Sequence, residues 1–418
     1  MKSVLVLLTG TMMAQGIGYL ISPILTRIYS TEEMGELGVY MRIVGFISAI
    51  ATARFELSLP LPKQEAHSFL LYKISLRISK IVLLCTVLVG IIYYVINPVN
   101  VYDASFLAIT LVSTVFVIYI NLGTNWSIRN KNFKQIARQR IVNSLTSNLL
   151  RWLFGALSFG TLGLIFATLI GYAVSSLSFI REYLHLDKVK YLRYSKKKSL
   201  PLTKEYRQFP MVNLPHVMVD LGRDLIIAAL IVIYFGKDVF GLYSHSHMVL
   251  KIPLIVIGAS VGQVFFNKCS ELVNSGQSTF PLMKRTLGIL SLLSIIPFSL
   301  IFFFGEPLFS FVFSEEWADS GYYSEIMAVW LMANFLISPL SSLPLVLKRQ
   351  KEFFLIGIFG SLIQLFSFGV LPILYGTSEE TLIFVLWFVS IAQAIYFSGV
   401  CMVTLYYAKL GVKGAKAN

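Results

Sequence analysis

Long apolar segments are the feature that most constrains the fold of this chain. An α-helix rises about 1.5 Å per residue, so roughly 20 apolar residues cross a hydrocarbon core about 30 Å thick. Segments of this kind recur along the 418 residues, at 3–25, 37–61, 79–97, 104–128, 141–159, 162–180, 211–236, 239–266, 286–305, 322–347, 353–375 and 381–408. We therefore predict an all-α polytopic membrane protein with twelve transmembrane helices.

The composition agrees with this prediction. Hydrophobic residues make up 56% of the chain and charged residues only 13%, too few to cover the surface of a soluble protein of this length. The formal net charge of +14 would suggest nucleic-acid binding in a soluble protein. Here the basic residues collect in alternate loops, as the positive-inside rule describes, so we expect no nucleic-acid partner.

The distribution of the basic residues predicts the orientation. The loops that are cytoplasmic if the N-terminus is inside hold nearly all of them, whereas the opposite loops hold only Arg27 and Lys237. Both termini are therefore predicted to be cytoplasmic. We predict an N-terminal six-helix bundle (1–181), a basic cytoplasmic linker (182–210) and a C-terminal six-helix bundle with a short basic tail (211–418). Bundles with an even number of spans share one orientation, as parallel repeats do.

Eight charged residues lie more than four residues from either end of a predicted span. Each would cost about 2.5–3.5 kcal/mol facing lipid at the bilayer centre, so they should face protein or a water-filled cavity. They are Arg42, Arg54, Glu56, Arg151, Asp220, Arg223, Asp224 and Lys251. Arg42 lies near a helix end and can extend to the interface. Arg151, Arg223 and Lys251 lie near mid-span, where they either line a cavity or form structural ion pairs.

The seventh predicted span carries a charged stripe. His216, Asp220 and Arg223 follow the i, i+4, i+7 pattern of one helix face, and Asp224 lies beside them. Two interpretations remain open. The charges either satisfy one another, or they form a proton- or ion-sensitive group beside a cationic site.

Neutral polar residues form matching stripes on other spans. Such faces can hold helices together, but several of them also suit a hydrated cleft. The stripes are Thr11, Gln15, Gly18 and Ser22 in the first span, Asn121, Thr124 and Asn125 in the fourth, and Ser144, Ser147, Asn148 and Arg151 in the fifth. Because basic residues outnumber acids inside the spans, the cleft is predicted to receive an anion.

The sequence predicts neither a metal site nor a bound cofactor. His245 and His247 are two residues apart and lie on different faces of a helix, and the three cysteines are widely separated. No phosphate-binding or nucleophile motif is present, so direct use of ATP is not expected.

Two segments resemble a known family. They are SPILTRIYSTEEMGELGVYMRIVGFISAIATARFELSLPLPK (22–63) and DLGRDLIIAALIVIYFGKDVFGLYSHSHMVLKIPLIVIGASVGQVFFNKCSEL (220–272). Both resemble the Wzx-type polysaccharide flippases of the MOP (multidrug/oligosaccharidyl-lipid/polysaccharide) exporter superfamily. The matching positions are Thr26, Arg27, Tyr29, Ser30, Gly35, Tyr40, Arg54, Glu56, Pro60 and Pro62, then Arg223-Asp224 in inverted order, Gly241, Tyr243, Pro253, Leu254, Ser260, Gln263 and Phe265.

The resemblance implies a flippase of the bacterial inner membrane. Its cargo would be an undecaprenyl-pyrophosphate-linked oligosaccharide, moved to the periplasmic leaflet by alternating access for surface polysaccharide synthesis. Membrane lipids, a polysaccharide polymerase and a chain-length regulator are the expected partners. The candidate pyrophosphate-binding residues are Arg27, Arg54, Arg151, Arg223 and Lys251. The candidate charge partners, which would couple transport to H⁺ or Na⁺, are Glu56, His216, Asp220 and Asp224.

Three other functions are alternatives for a polytopic membrane protein. A membrane polymerase or glycosyltransferase would need catalytic groups in a large outer loop, and the longest outer loop, 305–321, has no Arg, Lys or His. A drug or cation exporter would need an acidic cleft. A peptidoglycan-precursor flippase also uses a cationic cleft, so it remains an alternative.

Overall fold

The computed structural model of the protein describes residues 2–96, 104–186, 201–347 and 349–410. Every regular element in these ranges is helical, which confirms the all-α prediction for this part of the chain. The α-helices are α1 (Lys2–Leu25), α2 (Thr31–Ile50), α3 (Glu65–Ile96), α4 (Ala104–Arg129), α5 (Phe133–Ala156), α6 (Gly160–His185), α7 (Leu214–Phe235), α8 (Lys237–Leu250), α9 (Ala259–Asn274), α10 (Phe280–Phe313), α11 (Ala318–Ile337), α12 (Leu343–Val346), α13 (Gln350–Gly369), α14 (Leu371–Tyr375) and α15 (Glu379–Leu410).

Eight segments of the described chain are helical, long and apolar enough to cross a membrane. They are 65–93, 105–129, 160–185, 237–258, 280–313, 315–346, 352–375 and 379–410. The other four predicted spans form α1, α2, α5 and α7, which carry more polar or charged side chains. The chain is therefore a multi-pass helical membrane protein, and the number twelve stays a prediction. Most of the basic linker and the basic tail, at 187–200 and 411–418, lie outside the described residues.

The chain divides into two compact units. The first comprises Met1–Tyr29 and Glu36–Leu225, and the second comprises Ser30–Gly35 and Ile226–Asn418. The division falls within α7, so the first half of that helix packs with the first unit. The predicted bundle boundaries at 181 and 211 stay predictions.

Helices α1 and α6 of the first unit both pack closely against α5. A Cβ atom on Gly10 of α1 would lie 2.4 Å from the Cβ of Ala137 on α5, so only glycine permits this approach. On the other side of α5, a Cβ atom on Gly171 of α6 would lie 1.9 Å from Oγ of Ser147. These contacts fix which face of α5 is turned toward α1 and α6.

A second packed region of the first unit holds α3, α4 and α6 together. Tyr72 and Tyr183 stack at 4.9 Å between ring centroids, and Trp126 meets Tyr72 edge-on. Leu202 is buried in the same cluster, although it belongs to the predicted linker. The described end of that linker is thus part of the packed first unit.

The second unit is built around α8, α10, α11 and α15. Helix α10 contains Pro297 and Pro307 and is interrupted at Phe304, whose backbone is not helical. Proline removes a helical hydrogen bond and sterically opposes the preceding turn, which accounts for the kink. His245 of α8 is buried between the rings of Phe313 and Trp317.

Candidate functional site

A polar cavity of about 530 Å³ lies within the first unit. Four helices supply its walls: α1, α2, α5 and α6. The lining residues are Thr11, Ala14, Gln15, Met41, Gln139, Arg140, Asn143, Ser144, Ser147, Asn148, Arg151, Thr168 and Tyr172. Two of these side chains are cationic, and none is a carboxylate. The cavity therefore has the electrostatic character of an anion site.

Hydrogen bonds between α1 and α5 shape one wall of the cavity. The Ser144 hydroxyl donates to the carbonyl oxygen of Ala14 at 2.5 Å, and the Arg140 guanidinium donates to the Thr11 hydroxyl. Within α5, Asn148 donates to the carbonyl oxygen of Ser144 at 2.9 Å. The structure thus brings most of the predicted polar stripes of the first and fifth spans to one cavity.

Arg151 is held in this cavity by neutral groups. Its Nη2 donates to the Thr168 hydroxyl at 2.8 Å, and its Nη1 donates to the side-chain oxygen of Asn148 at 3.4 Å. The Tyr29 hydroxyl donates to the Arg151 carbonyl oxygen at 2.7 Å, which fixes this turn of α5. Nε of Arg151 is buried and has no hydrogen-bond partner among the described residues. No carboxylate of the described chain pairs with this guanidinium.

The sequence alone did not predict two of the residues that line the cavity, Arg140 and Asn143. Arg140 lies just outside the predicted span 141–159, whereas α5 begins at Phe133 and includes it. Its spacing of eleven residues from Arg151, three turns of helix, is the signal that identifies it. Asn143 also lines the cavity, and its side-chain oxygen is buried without a partner in the described structure.

Arg54 and Glu56 lie at the end of α2 and are not among the lining residues of this cavity. Nη1 of Arg54 contacts Oε1 of Glu56 at 3.2 Å, and the buried Glu56 carboxylate also accepts from the Thr52 hydroxyl. Ala53 and Arg54 both have left-handed backbone angles, with φ of 48° and 62°. Consecutive non-glycine residues in this region are strained, so the surrounding packing must hold this turn in place.

The charged stripe of α7 contains one ion pair, Arg223–Asp224, and one contact between a histidine and a carboxylate, His216–Asp220. Arg223 donates to Oδ1 of Asp224 from Nε at 3.1 Å and from Nη2 at 2.9 Å. Nδ1 of His216 lies 3.3 Å from Oδ2 of Asp220. The carboxylates of both pairs are substantially exposed.

The two other predicted binding residues lie apart from the cavity lining. Arg27 is exposed and donates to the carbonyl oxygen of Pro23 at 2.7 Å. Lys251 follows the last residue of α8, in the second unit, and is half-buried. Of the five predicted binding residues, Arg151 is the one that lines this cavity, and the roles of all five stay predictions.

The described residues contain no group of His, Cys, Asp and Glu side chains that is arranged to hold a metal ion. His245 lies 3.2 Å from the Ser320 hydroxyl through Nδ1, and aromatic rings surround the imidazole. The cavity in the first unit is therefore the candidate functional site.

Comparisons with known proteins agree on the class of fold. The family model described as polysaccharide biosynthesis protein matches residues 24–321. No curated protein matches the sequence significantly. An inward-facing MATE-family multidrug resistance transporter of the MOP superfamily is similar in structure, with a TM-score of 0.68 and 15% identity, over 99% of this chain and 98% of that one.

Two further solved structures extend the comparison. The lipid II flippase MurJ, in an inward closed conformation, has a TM-score of 0.68 and 16% identity, over 96% of this chain and 90% of its own. A MOP-superfamily transporter from Pyrococcus furiosus, described as having a binding pocket of reverse polarity, has a TM-score of 0.56 and 12% identity, over 100% and 97%. At these identities the similarity establishes the fold.

Proposed function

The chain belongs to the polysaccharide biosynthesis protein family, and from that premise we propose that it is a lipid-linked oligosaccharide flippase. The family match covers more than half of the chain, and the fold is that of MOP-superfamily transporters. The proposed cargo is an undecaprenyl-pyrophosphate-linked repeat unit of a surface polysaccharide. The protein would move it from the cytoplasmic to the periplasmic leaflet of a bacterial inner membrane.

The observation that carries this proposal is a cavity with two arginines and no carboxylate among its lining residues. A pyrophosphate is multiply negative and cannot cross hydrocarbon without groups that replace its hydration. Guanidinium groups suit this purpose because their planar donors pair with two phosphate oxygens at once. Since Arg151 has only neutral partners, its charge is available to an incoming anion.

The rest of the cavity suits a sugar. Amides and hydroxyls from α1, α5 and α6 line its walls, and they can both donate to and accept from sugar hydroxyls. The polyprenyl tail would stay in the lipid. We propose twelve spans in two six-helix bundles, with cytoplasmic termini, that alternate in access to the two sides of the membrane.

Charge pairs elsewhere in the first unit are the proposed coupling elements. Glu56 pairs with Arg54, and Asp224 pairs with Arg223, so protonation or Na⁺ binding at either carboxylate would release its arginine. Coupling to a gradient requires that these acids differ in occupancy between the two facings of the transporter. A polysaccharide polymerase and a chain-length regulator are the proposed downstream partners.

The alternative is a flippase for the peptidoglycan lipid precursor. The structural similarity to the lipid II flippase MurJ favours this second candidate. Both cargoes carry a polyprenyl pyrophosphate, so the cationic cavity serves either, and the attached glycan is what separates them.

The test is transport by the purified full-length protein in proteoliposomes. Fluorescent undecaprenyl-pyrophosphate oligosaccharide and fluorescent lipid II are each placed in the membrane, and flipping is followed by quenching with an impermeant reductant. We expect faster flipping of the polysaccharide unit, loss of flipping in Arg151→Gln, and no change in Arg138→Gln, a matched control because Arg138 is an exposed arginine on the same helix. Faster flipping of lipid II would establish the alternative, and no flipping of either lipid would contradict both.

A further inference from the structure

The two arginines of the cavity lie on one face of one helix. Arg140 and Arg151 are eleven residues apart in α5, which is within about 20° of three complete turns and about 16 Å along the helix axis. The residues between them on this face are all neutral and polar, and they all line the cavity. They are Asn143, Ser144, Ser147 and Asn148. The helix therefore presents a continuous polar track with a cation at each end.

Among the described residues, no carboxylate forms an ion pair with either cation. Arg140 donates to the Thr11 hydroxyl, and Arg151 donates to Thr168 and Asn148. Thr11 lies on α1, Thr168 on α6 and Asn148 on α5 itself, so the two guanidinium groups are held by separate sets of partners. Neutral partners stabilise a half-buried cation less than an anion does. When phosphate oxygens replace these neutral partners, no carboxylate loses its counter-charge.

Unsatisfied polar atoms lie along the same track. Nε of Arg151 and the side-chain oxygen of Asn143 are buried and have no partner among the described residues. A buried donor or acceptor without a partner costs free energy, which a ligand with both phosphate and hydroxyl groups would recover. The unpaired donor belongs to Arg151, and the unpaired acceptor belongs to Asn143, which lies between Arg140 and Arg151 on α5.

We propose that Arg140 and Arg151 are two successive binding stations for the phosphate groups of one cargo. This inference rests on the proposed function and on the proposed orientation of the chain, with cytoplasmic termini. In that orientation Arg140 lies nearer the cytoplasm, and we call it the cytoplasmic station. Arg151 lies nearer the outer side, and we call it the deep station. The pyrophosphate first pairs with Arg140 and is then transferred along the amides and hydroxyls of α5 to Arg151. Head-group movement through the first unit thus takes two steps.

Binding kinetics separate the two stations. Undecaprenyl pyrophosphate is the probe, presented to the full-length protein in nanodiscs, and its association and dissociation rates are measured between low and high salt. Arg140→Gln should lower the association rate about tenfold and flatten its salt dependence, because a charge met first steers encounter. Arg151→Gln should leave association nearly unchanged and raise the dissociation rate about ten- to a hundredfold, because it removes charge-assisted hydrogen bonds from the bound state. Arg138→Gln should change neither rate.

Several results would overturn this proposal. If both glutamine variants change the same rate constant to the same extent, the cavity has one phosphate site. If phosphatidylglycerol in the nanodisc displaces the probe at equal concentration, the stations bind ordinary lipid headgroups. Arg140→Lys and Arg151→Lys retain the positive charge and serve as controls if a glutamine variant folds poorly. Each lysine variant should change the same rate constant as the glutamine variant at its position, but by a smaller factor. A wild-type protein that binds no probe would instead contradict the proposed function itself.

Discussion

Helices α5 and α7 both carry arginine inside a predicted span, yet their surroundings differ. Arg151 of α5 has neutral partners, Thr168 and Asn148, and no described carboxylate pairs with it. Arg223 of α7 makes two hydrogen bonds to Asp224, the next residue in the chain. Both arginines belong to the first unit. One helix therefore carries an arginine with no acidic partner among the described residues, and the other helix supplies a counter-charge to its own arginine.

This difference separates two uses of charge within a membrane protein. The side chains of the Arg223–Asp224 pair are 24% and 43% exposed, so water screens their attraction and either side chain can exchange this partner for another. Arg151 lines a polar cavity, and its side-chain partners there are neutral, so an anion that enters the cavity meets no described carboxylate competing for this guanidinium. We infer that α5 provides affinity for the cargo and that α7 couples transport to an ion gradient.

The largest expected effect comes from making α5 resemble α7. Asn148→Asp places a carboxylate where the amide oxygen of Asn148 now contacts Arg151 at 3.4 Å, with almost no change in shape. The new carboxylate should pair with the guanidinium and repel phosphate, weakening the binding of undecaprenyl pyrophosphate about a hundredfold or more, or roughly 3 kcal/mol. Titration of the reconstituted protein measures this affinity. Asn130→Asp, at an exposed position after α4, is the matched control, and equal affinities in both variants would remove Arg151 from the binding site.

A smaller effect on affinity, but a clear effect on ion coupling, is expected from removing the carboxylates that lie against basic side chains. Asp224→Asn, Asp220→Asn and Glu56→Gln should each bind undecaprenyl pyrophosphate within about threefold of the wild type, since none of these residues lines the cavity. Their transport should no longer respond to an imposed gradient, because the carboxylate that we propose to bind the coupling ion has been removed. Transport in vesicles under a pH or Na⁺ gradient provides the measurement. Wild-type gradient dependence in all three variants would make these pairs purely structural.

Helical periodicity predicted much of the cavity. The stripes containing Thr11 and Gln15 on α1 and Ser147 and Asn148 on α5 follow directly from i, i+3 and i+4 spacing, and all four residues line the cavity. The depth of Arg151 in its span also marked it as a candidate. Apolar segments likewise identified the helices, because a bilayer permits few alternatives to them.

The sequence could not predict how the charges pair. Arg223 and Asp224 are adjacent, and spacing alone does not show whether an arginine turns toward its neighbour, a cavity or lipid. Arg140 was missed for another reason, since hydropathy locates apolar segments and α5 extends beyond its apolar part to Phe133. The burial of Leu202 depends on tertiary packing of the linker, which no local pattern encodes.

An effect on function smaller than the loss of coupling tests whether the geometry of the α5 face matters as much as its charge. A Cβ atom on Gly171 of α6 would lie 1.9 Å from Oγ of Ser147 and 3.1 Å from the side-chain oxygen of Asn143, so Gly171→Ala must displace the cavity wall. On α7, the same change at Gly222 would bring a Cβ atom 3.5 Å from Phe46, an ordinary contact.

We expect Gly171→Ala to reduce stability by about 1–3 kcal/mol, as overpacking does, and to weaken probe binding severalfold through the shifted Ser147 and Asn143. Gly222→Ala should be neutral or slightly stabilising, since alanine favours helix over glycine by up to about 1 kcal/mol. Thermal unfolding in detergent and probe titration compare the two variants directly. If both behave alike, the polar face of α5 tolerates displacement, and its arginines bind cargo through charge alone without a fixed arrangement of amides and hydroxyls between them.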